Sequence, residues 1–183
     1  MKLAEPLFLS IQWEGMHTWL PSIFVRFFGC NKCCKWCDSL YAVNNPESII
    51  DTTPEQVVKE IKKISLNTHC RNIVFTWWEP TLFSDDIAKI QELLWNEYTY
   101  EIETNWSLPI ENVFEQINIS PKLSNSGNKP YPLRALEDRI FWRTEWSGIC
   151  FKFVAKDNWD FPENSEMCFQ EFPCHQLGPQ DLP

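Results

Sequence analysis

Apolar and polar positions along this chain follow two rhythms. Residues 7–12 and 22–28 read as strands, the second (SIFVRFF) apolar almost throughout. The stretch DTTPEQVVKEIKKIS predicts a helix. Thr53 caps it, Pro54 suits its first position, Gln56 completes a capping box, and Val57, Val58, Ile61 and Ile64 form one apolar face. Residues 72–76 predict a strand, and residues 85–96 a helix with Ile87, Ile90, Leu93 and Leu94 inward. A strand over 98–103, a short helix near Glu111 and a strand through Ile117 and Ile119 follow. Residues 125–132, rich in Asn, Ser, Gly and Pro, read as a loop. A helix within 133–143, a strand at 150–154 and a further strand at 167–170 complete the reading.

Strands alternating with helices imply an α/β fold with a mostly parallel sheet of βαβ units. In such folds chemistry gathers at the carboxyl ends of the strands. The cysteine-rich segment, Trp77-Trp78-Glu79, Glu103-Thr104-Asn105 and Ser120-Pro121-Lys122 all fall at such ends.

Composition narrows the function. The 183 residues suffice for one domain with a real core, 1–183, although the part after about 155 is atypical and reads as a possible truncation. The net charge of −9 argues against direct nucleic-acid binding, which needs a basic surface. No apolar run is long enough for a membrane span, and residues 1–6 lack a secretion signal, so a cytoplasmic protein without membrane association is expected. Eight cysteines is an even number, but four of them crowd into GCNKCCKWCD. In a reducing compartment such crowding favours a metal or cluster over disulfides. Two ligand sets compete. Cys30, Cys33, Cys34 and Cys37 would make a zinc knuckle, although adjacent Cys33 and Cys34 point apart and zinc needs four converging ligands. Cys30-x3-Cys34-x2-Cys37 instead leaves Cys33 outside and suits a [4Fe–4S] cluster with one open iron.

The second spacing is the signature of radical S-adenosylmethionine (SAM) enzymes. Together with FLSIQWEG, PSIFVRFFGCN, CKWCDSLYA, TWWEPTL, EIETNWS, ISPKLSNSG and FKFV, in that order, the chain resembles the 7-carboxy-7-deazaguanine synthase family over about residues 5–155. The resemblance implies a partial TIM-type radical SAM barrel, usually dimeric. It also implies a lyase that contracts the ring of 6-carboxy-5,6,7,8-tetrahydropterin with loss of ammonia, for queuosine-type deazapurine biosynthesis. Its cofactors would be a [4Fe–4S] cluster, SAM and Mg²⁺, with a flavodoxin- or ferredoxin-type electron donor. Two other classes share the cysteine spacing or the cysteines alone: glycyl-radical-activating enzymes, and non-catalytic iron–sulfur or zinc binders. The first is not expected to carry SIQ-x-EG or SPKLSNSG; in the second the pocket tryptophans would block the cofactor.

By resemblance Cys30, Cys34 and Cys37 ligate the cluster, and Ser39 contacts Mg²⁺. Ile11, Gln12, Trp13, Glu14, Arg26, Thr76 and the terminal Pro183 fall at substrate positions. Trp36, Asp38, Trp78, Glu79, Glu103, Asn105, Ser120, Pro121 and Lys122 fall at SAM positions. Arg26 would reach the substrate carboxylate with its guanidinium fork, the alternative being a structural pair with an acid. Cys70, Cys150, Cys168 and Cys174 read as small hydrophobes, and His17, His69 and His175 as surface residues.

Five tryptophans stand where the family has glycine: Trp13, Trp19, Trp77, Trp78 and Trp106. Trp36, by contrast, matches a family tryptophan. Strand alternation would send the indoles of Trp77 and Trp78 to opposite faces, one of them into the ligand pocket. Three readings explain this: UGA codons that specify glycine rendered as tryptophan, an inactivated relative, or a rebuilt pocket. The chain has 5 glycines and 10 tryptophans. Moving five residues would double the first count and halve the second, which favours the first reading.

Overall fold

A computed structural model describes residues 1–37, 49–129 and 148–155. Residues 38–48, 130–147 and 156–183 lie outside it. With them lie Asp38, Ser39 and Pro183, the helix expected within 133–143 and the strand expected at 167–170. The described elements are β1 (Lys2–Leu3), β2 (Phe8–Ile11), β3 (Pro21–Arg26), β4 (Ile50–Asp51), α1 (Pro54–Thr68), β5 (Asn72–Thr76), α2 (Ser84–Leu94), β6 (Thr99–Thr104), β7 (Gln116–Ile119) and β8 (Gly148–Phe151). Short 3₁₀ turns occupy Pro80–Phe83, Trp95–Glu97 and Ser124–Ser126.

Six strands form one sheet in the order β2-β3-β5-β6-β7-β8. The five from β3 to β8 are parallel, and β2 pairs antiparallel with β3 at one edge. Antiparallel β1 and β4 make a separate small ribbon. These two-residue strands carry no periodic signal and went unforeseen. No helix forms near Glu111; residues 105–115 connect β6 to β7 as a loop. Its anchors include the Glu115 N–H donating to the Tyr100 carbonyl, Gln91 Nε2 donating to the Val113 carbonyl and Asn112 Nδ2 donating to the Ser84 carbonyl.

Alternation along the strands divides the sheet chemically. Ile23, Val25, Ile73, Phe75, Tyr100, Ile102, Ile117 and Ile119 lie on the face covered by the helices, with Val57, Val58 and Ile61 of α1 and Ile87, Ile90 and Leu94 of α2. Leu93 was expected inward but is among the exposed hydrophobics, because Ile87, Ile90 and Leu94 already complete the packed stripe. The other face carries Ser22, Asn72, Thr76, Glu101, Gln116 and Asn118, all buried. Burying that many polar groups is tolerable only when they bond to one another or to a ligand.

α1 begins as the sequence implies. Thr53 accepts from the Gln56 backbone N–H, and the Gln56 side chain returns to the Thr53 N–H. The helix ends at His69, which adopts a left-handed conformation (φ 59°) and donates its N–H to Ser65. That conformation suits histidine better than most residues, so His69 is a helix cap rather than only a surface residue. Among the described residues no helix is long and apolar enough to cross a membrane.

Phe75 is fully buried on the central strand, against Phe27, Tyr100 and Phe114. Phe75→Ala is expected to cost about 3–5 kcal/mol, read as a lower midpoint in urea unfolding with an unchanged slope.

Candidate active site

The carboxyl ends of β3, β5, β6 and β7 converge, and each feeds a loop into one region. Two groups of side chains assemble there, one around the cysteines and one on the polar face of the sheet.

The cysteine loop leaves β3 through Phe27, Phe28 and Gly29. Its partner is the segment 120–128 after β7. The Lys35 N–H donates to the Ser126 carbonyl (2.9 Å), and the Cys33 N–H to Asn128 Oδ1 (3.2 Å). Trp36 donates its indole N–H to Asn125 Oδ1 (3.1 Å), and Lys122 Nζ lies 5.3 Å from the Trp36 ring centroid. Asn128 Nδ2 reaches Cys34 Sγ at 3.3 Å, and Asn105 Nδ2 reaches Cys30 Sγ at 3.8 Å. Asn125 and Asn128 were missed as site residues, because SNSGN reads as turn chemistry before it reads as a cradle.

Cys30, Cys34 and Cys37 are close enough for charge on one to act on the others. Burial raises the Cys34 thiol, which Lys122 and Asn128 draw back down. Partial desolvation raises Cys30 foremost, and Glu79, Cys34 and Cys37 add to the rise. Among the described residues no three Cys, His, Asp or Glu side chains converge tightly enough for a single metal ion. A cubane places its thiolates on separate irons, so it asks for three neighbouring sulfurs rather than convergence on one point. Three neighbouring thiols, with amide donors on Cys30 and Cys34, fit that group. Cys33 is exposed, and its backbone, not its sulfur, makes the contact to Asn128.

Glu79 is completely buried. Its carboxylate accepts from Thr81 Oγ1 (2.6 Å), the Thr81 N–H (3.2 Å), Thr104 Oγ1 (2.5 Å) and the Asn105 N–H (2.8 Å). Burial pushes its pKa up while these donors pull it down. All four partners donate, which suits an ionised acceptor. The resemblance placed Glu79 at a SAM position; within the chain its oxygens accept from the turn after β5, from the last residue of β6 and from the residue beyond it. Asn105 also joins Asn31 Oδ1 (3.2 Å).

On the polar face, Gln12 is 1% exposed. Its Nε2 donates to Glu101 (2.9 Å) and Glu103 (3.2 Å), and its Oε1 accepts from the Trp13 and Glu14 N–H groups (2.7 and 3.0 Å). Thr76 donates to Glu103, and Lys152 pairs with Glu14. Glu103, assigned to SAM by resemblance, thus sits among the residues assigned to substrate. Ile11 ends β2 opposite Pro21. Arg26 binds Glu5 Oε1 at 2.6 Å, and its guanidinium lies 4.8 Å from the ring centroids of both Phe8 and Trp77. His17 is not merely a surface residue: Nδ1 stands 2.7 Å from Glu101 Oε1. At β7's end the Ser120 N–H donates to the Thr104 carbonyl, and Lys122 Nζ donates to Ser120 Oγ (2.9 Å). Pro121 is buried between them.

The indoles of Trp77 and Trp78 do not diverge as strand alternation predicts. Both residues lie beyond β5 with positive φ (67° and 43°), so their rings stay side by side at 5.9 Å. Trp77 lies against Arg26, and Trp78 packs on Phe28 (4.5 Å) with its indole N–H buried and unbonded. Trp13 is exposed and meets Trp19 edge-on at 5.1 Å.

Comparison with known proteins bears on this arrangement. A model of the radical SAM superfamily matches residues 24–118, from β3 through β7. The 7-carboxy-7-deazaguanine synthases of Bacteroides thetaiotaomicron and Buchnera aphidicola are 33% and 32% identical to it. The first match takes in 67% of this chain and 62% of that relative; the second takes in 72% and 67%. The Haemophilus influenzae synthase is 33% identical over 63% of this chain, and the match spans 51% of its own length. The fold is similar to that of QueE from Escherichia coli, at TM-score 0.60 and 19% identity, covering 90% of this chain and 89% of that one. Within the radical SAM superfamily, the chain belongs to the 7-carboxy-7-deazaguanine synthase family. It spans about half to two thirds of the length of the curated relatives it matches.

Two outcomes follow from the site. Desolvation, then the nearby Glu14 carboxylate, raise Glu103 to about 7. A carboxyl whose folded pKa is raised stabilises the fold while protonated. That stability is present below the ordinary carboxylate range and is lost as pH climbs through about 7. Glu103→Gln is expected to flatten this loss, measured as Tm between pH 5 and pH 8. Glu79→Gln puts amide hydrogens against donors and is expected to cost about 2 kcal/mol or more, read by denaturant unfolding.

Proposed function

We propose that this chain is a radical SAM lyase that converts 6-carboxy-5,6,7,8-tetrahydropterin to 7-carboxy-7-deazaguanine and ammonia. The observation that carries this reading is the meeting of two groups at the strand ends: a cysteine loop bonded to 120–128, with amide donors on the Cys30 and Cys34 thiols, and a carboxylate–amide cluster on the sheet's polar face. A [4Fe–4S] cluster held by Cys30, Cys34 and Cys37, with SAM on its open iron, supplies one-electron cleavage of the sulfonium and hydrogen abstraction from the substrate.

The chain's own residues bind and orient. Lys122, Ser120, Pro121, Trp36, Asp38, Trp78 and Asn105 border the cofactor in this reading, while Glu79 holds their loops. Gln12 fixes the turn at 13–14 and bridges buried Glu101 to Glu103, whose carboxyl faces the polar groups of a pterin. Glu103, able to hold a proton near neutral pH, can donate or accept at that edge. Arg26 offers its guanidinium to the substrate carboxylate in exchange for Glu5; both side chains are about one-third exposed, so the pair is weak enough to give way. Ser39 is proposed as an Mg²⁺ hydroxyl and Pro183 as a substrate contact. A flavodoxin- or ferredoxin-type donor and a homodimeric state complete the proposal.

Anaerobic reconstitution tests it. Iron near four per chain, SAM cleavage and formation of 7-carboxy-7-deazaguanine by mass are expected. Cys30→Ala, Cys34→Ala and Cys37→Ala should each abolish the cubane absorbance, while Cys33→Ala should keep it. Zinc in place of iron would overturn the assignment, as would iron without turnover of the pterin in a chain carrying glycine at positions 77 and 78.

A further inference from the structure

Glycine is the residue that enters left-handed backbone freely, because a side chain there meets the backbone. Three of the chain's glycines do so: Gly15 (φ 70°), Gly29 (φ 136°) and Gly127 (φ 78°). Six other described residues share this conformation, and five of the six are tryptophan: Trp19 (φ 77°), Trp77 (67°), Trp78 (43°), Trp95 (52°) and Trp106 (59°). Left-handed backbone occurs in only a few per cent of non-glycine residues, and bulky side chains are outliers there.

Trp95 separates the competing explanations. It caps α2, it is 71% exposed, and it lies before the amino end of β6, away from the carboxyl ends where the site residues gather. An inactivated or rebuilt pocket gives no reason for a bulky residue at that helix end. The backbone does give a reason for glycine. The residue closing α2 has φ 52° and ψ −153°, at the edge of a region that glycine alone occupies, and its N–H donates to the Gln91 carbonyl. Trp36 supplies the contrast. It is absent from the left-handed set, and its indole is used by Asn125 and Lys122.

We propose that residues 19, 77, 78, 95 and 106 are glycine in the protein made by its own cell, from UGA codons read there as glycine, and that Trp36 is a true tryptophan. Residue 95 enters this set on backbone geometry alone. Trp13 is not left-handed, so its backbone does not demand glycine. With glycine at 77, 78 and 106, the space at the ends of β5 and β6 now filled by indoles opens toward the cysteine loop.

Peptide mass spectrometry of the protein purified from its source cell, with the codons read alongside, tests this without any activity assay. Glycine masses and UGA are expected at the five positions, and a tryptophan mass at 36. A tryptophan mass or UGG at 95 would overturn it. A second test uses the recombinant chain as written. Trp95→Gly should raise Tm by about 2–4 °C, whereas Trp95→Ala should gain little, since alanine keeps the Cβ that the conformation opposes. Trp36→Gly should lower Tm. Equal effects of glycine and alanine at 95 would show that removing an exposed indole, not relieving the backbone, accounts for any gain, and would sink the proposal.

Discussion

One buried carboxylate ties the functional end of this sheet together. Glu79 reaches from the loop after β5 to the end of β6 and to the turn that follows it. Its own N–H donates to the Gly29 carbonyl at the mouth of the cysteine loop (3.1 Å). Three strand ends are therefore held by one residue with no exposed atom. A carboxylate suits this task better than an amide, since every neighbour points a hydrogen at it. The charge is costly to bury, which the raised pKa records, and the four donors offset that cost. Residues that touch cofactor or substrate need not then hold their own loops in place.

The sheet above this knot is an ordinary hydrophobic slab on one face and a polar floor on the other. The helices cover the first by burial alone. Most of the second bonds sideways: Asn72 Nδ2 donates to Ser22 Oγ (2.7 Å) and to Glu101 (2.5 Å), and Glu101 also accepts from Gln12, while Gln116 Oε1 and Asn118 Nδ2 have no partner among the described residues. His17 closes this chain of contacts from the loop. The result is a rigid bed of carboxylates and amides whose positions follow strand register rather than loop conformation. That is the kind of support a preorganised site requires.

Much of this was legible in the sequence, and the exceptions have physical causes. The helix at 54–68 was readable because cap, proline and apolar stripe agree. The strand ends could be assigned as the chemical face because βαβ alternation fixes which end of a parallel sheet gathers loops. What failed was reasoning by local period past the last strand residue. Alternation was applied to Trp77 and Trp78, but the backbone had already turned left-handed. Glu111 lies in a connection where no apolar stripe supports a helix. Gln12 carried a polar-edge signal, yet only the folded neighbourhood shows that both ends of its amide are occupied within the chain. His17 and Glu101 are 84 residues apart, a pairing no local pattern reports.

The cysteine loop shows how such a site is shaped before any charge is placed in it. Burial favours the neutral thiol at Cys34 and partial desolvation does so at Cys30, so mutual repulsion among thiolates does not organise the loop. The contacts that do organise it are neutral: the Asn128 amide on Cys34, the Asn105 amide on Cys30, and backbone bonds from 33 and 35 to the 126–128 turn. Amide donors can meet sulfur in either protonation state, so they set the spacing of the thiols independently of whether iron has arrived. Lys122, ahead of Lys32, is the nearby cation that draws Cys34 most toward the thiolate, and burial lowers its own pKa. A negatively charged cluster would reverse that tendency and keep Lys122 protonated. The same lysine links the cysteine loop, through the Trp36 ring, to Ser120, whose Oγ it already bonds.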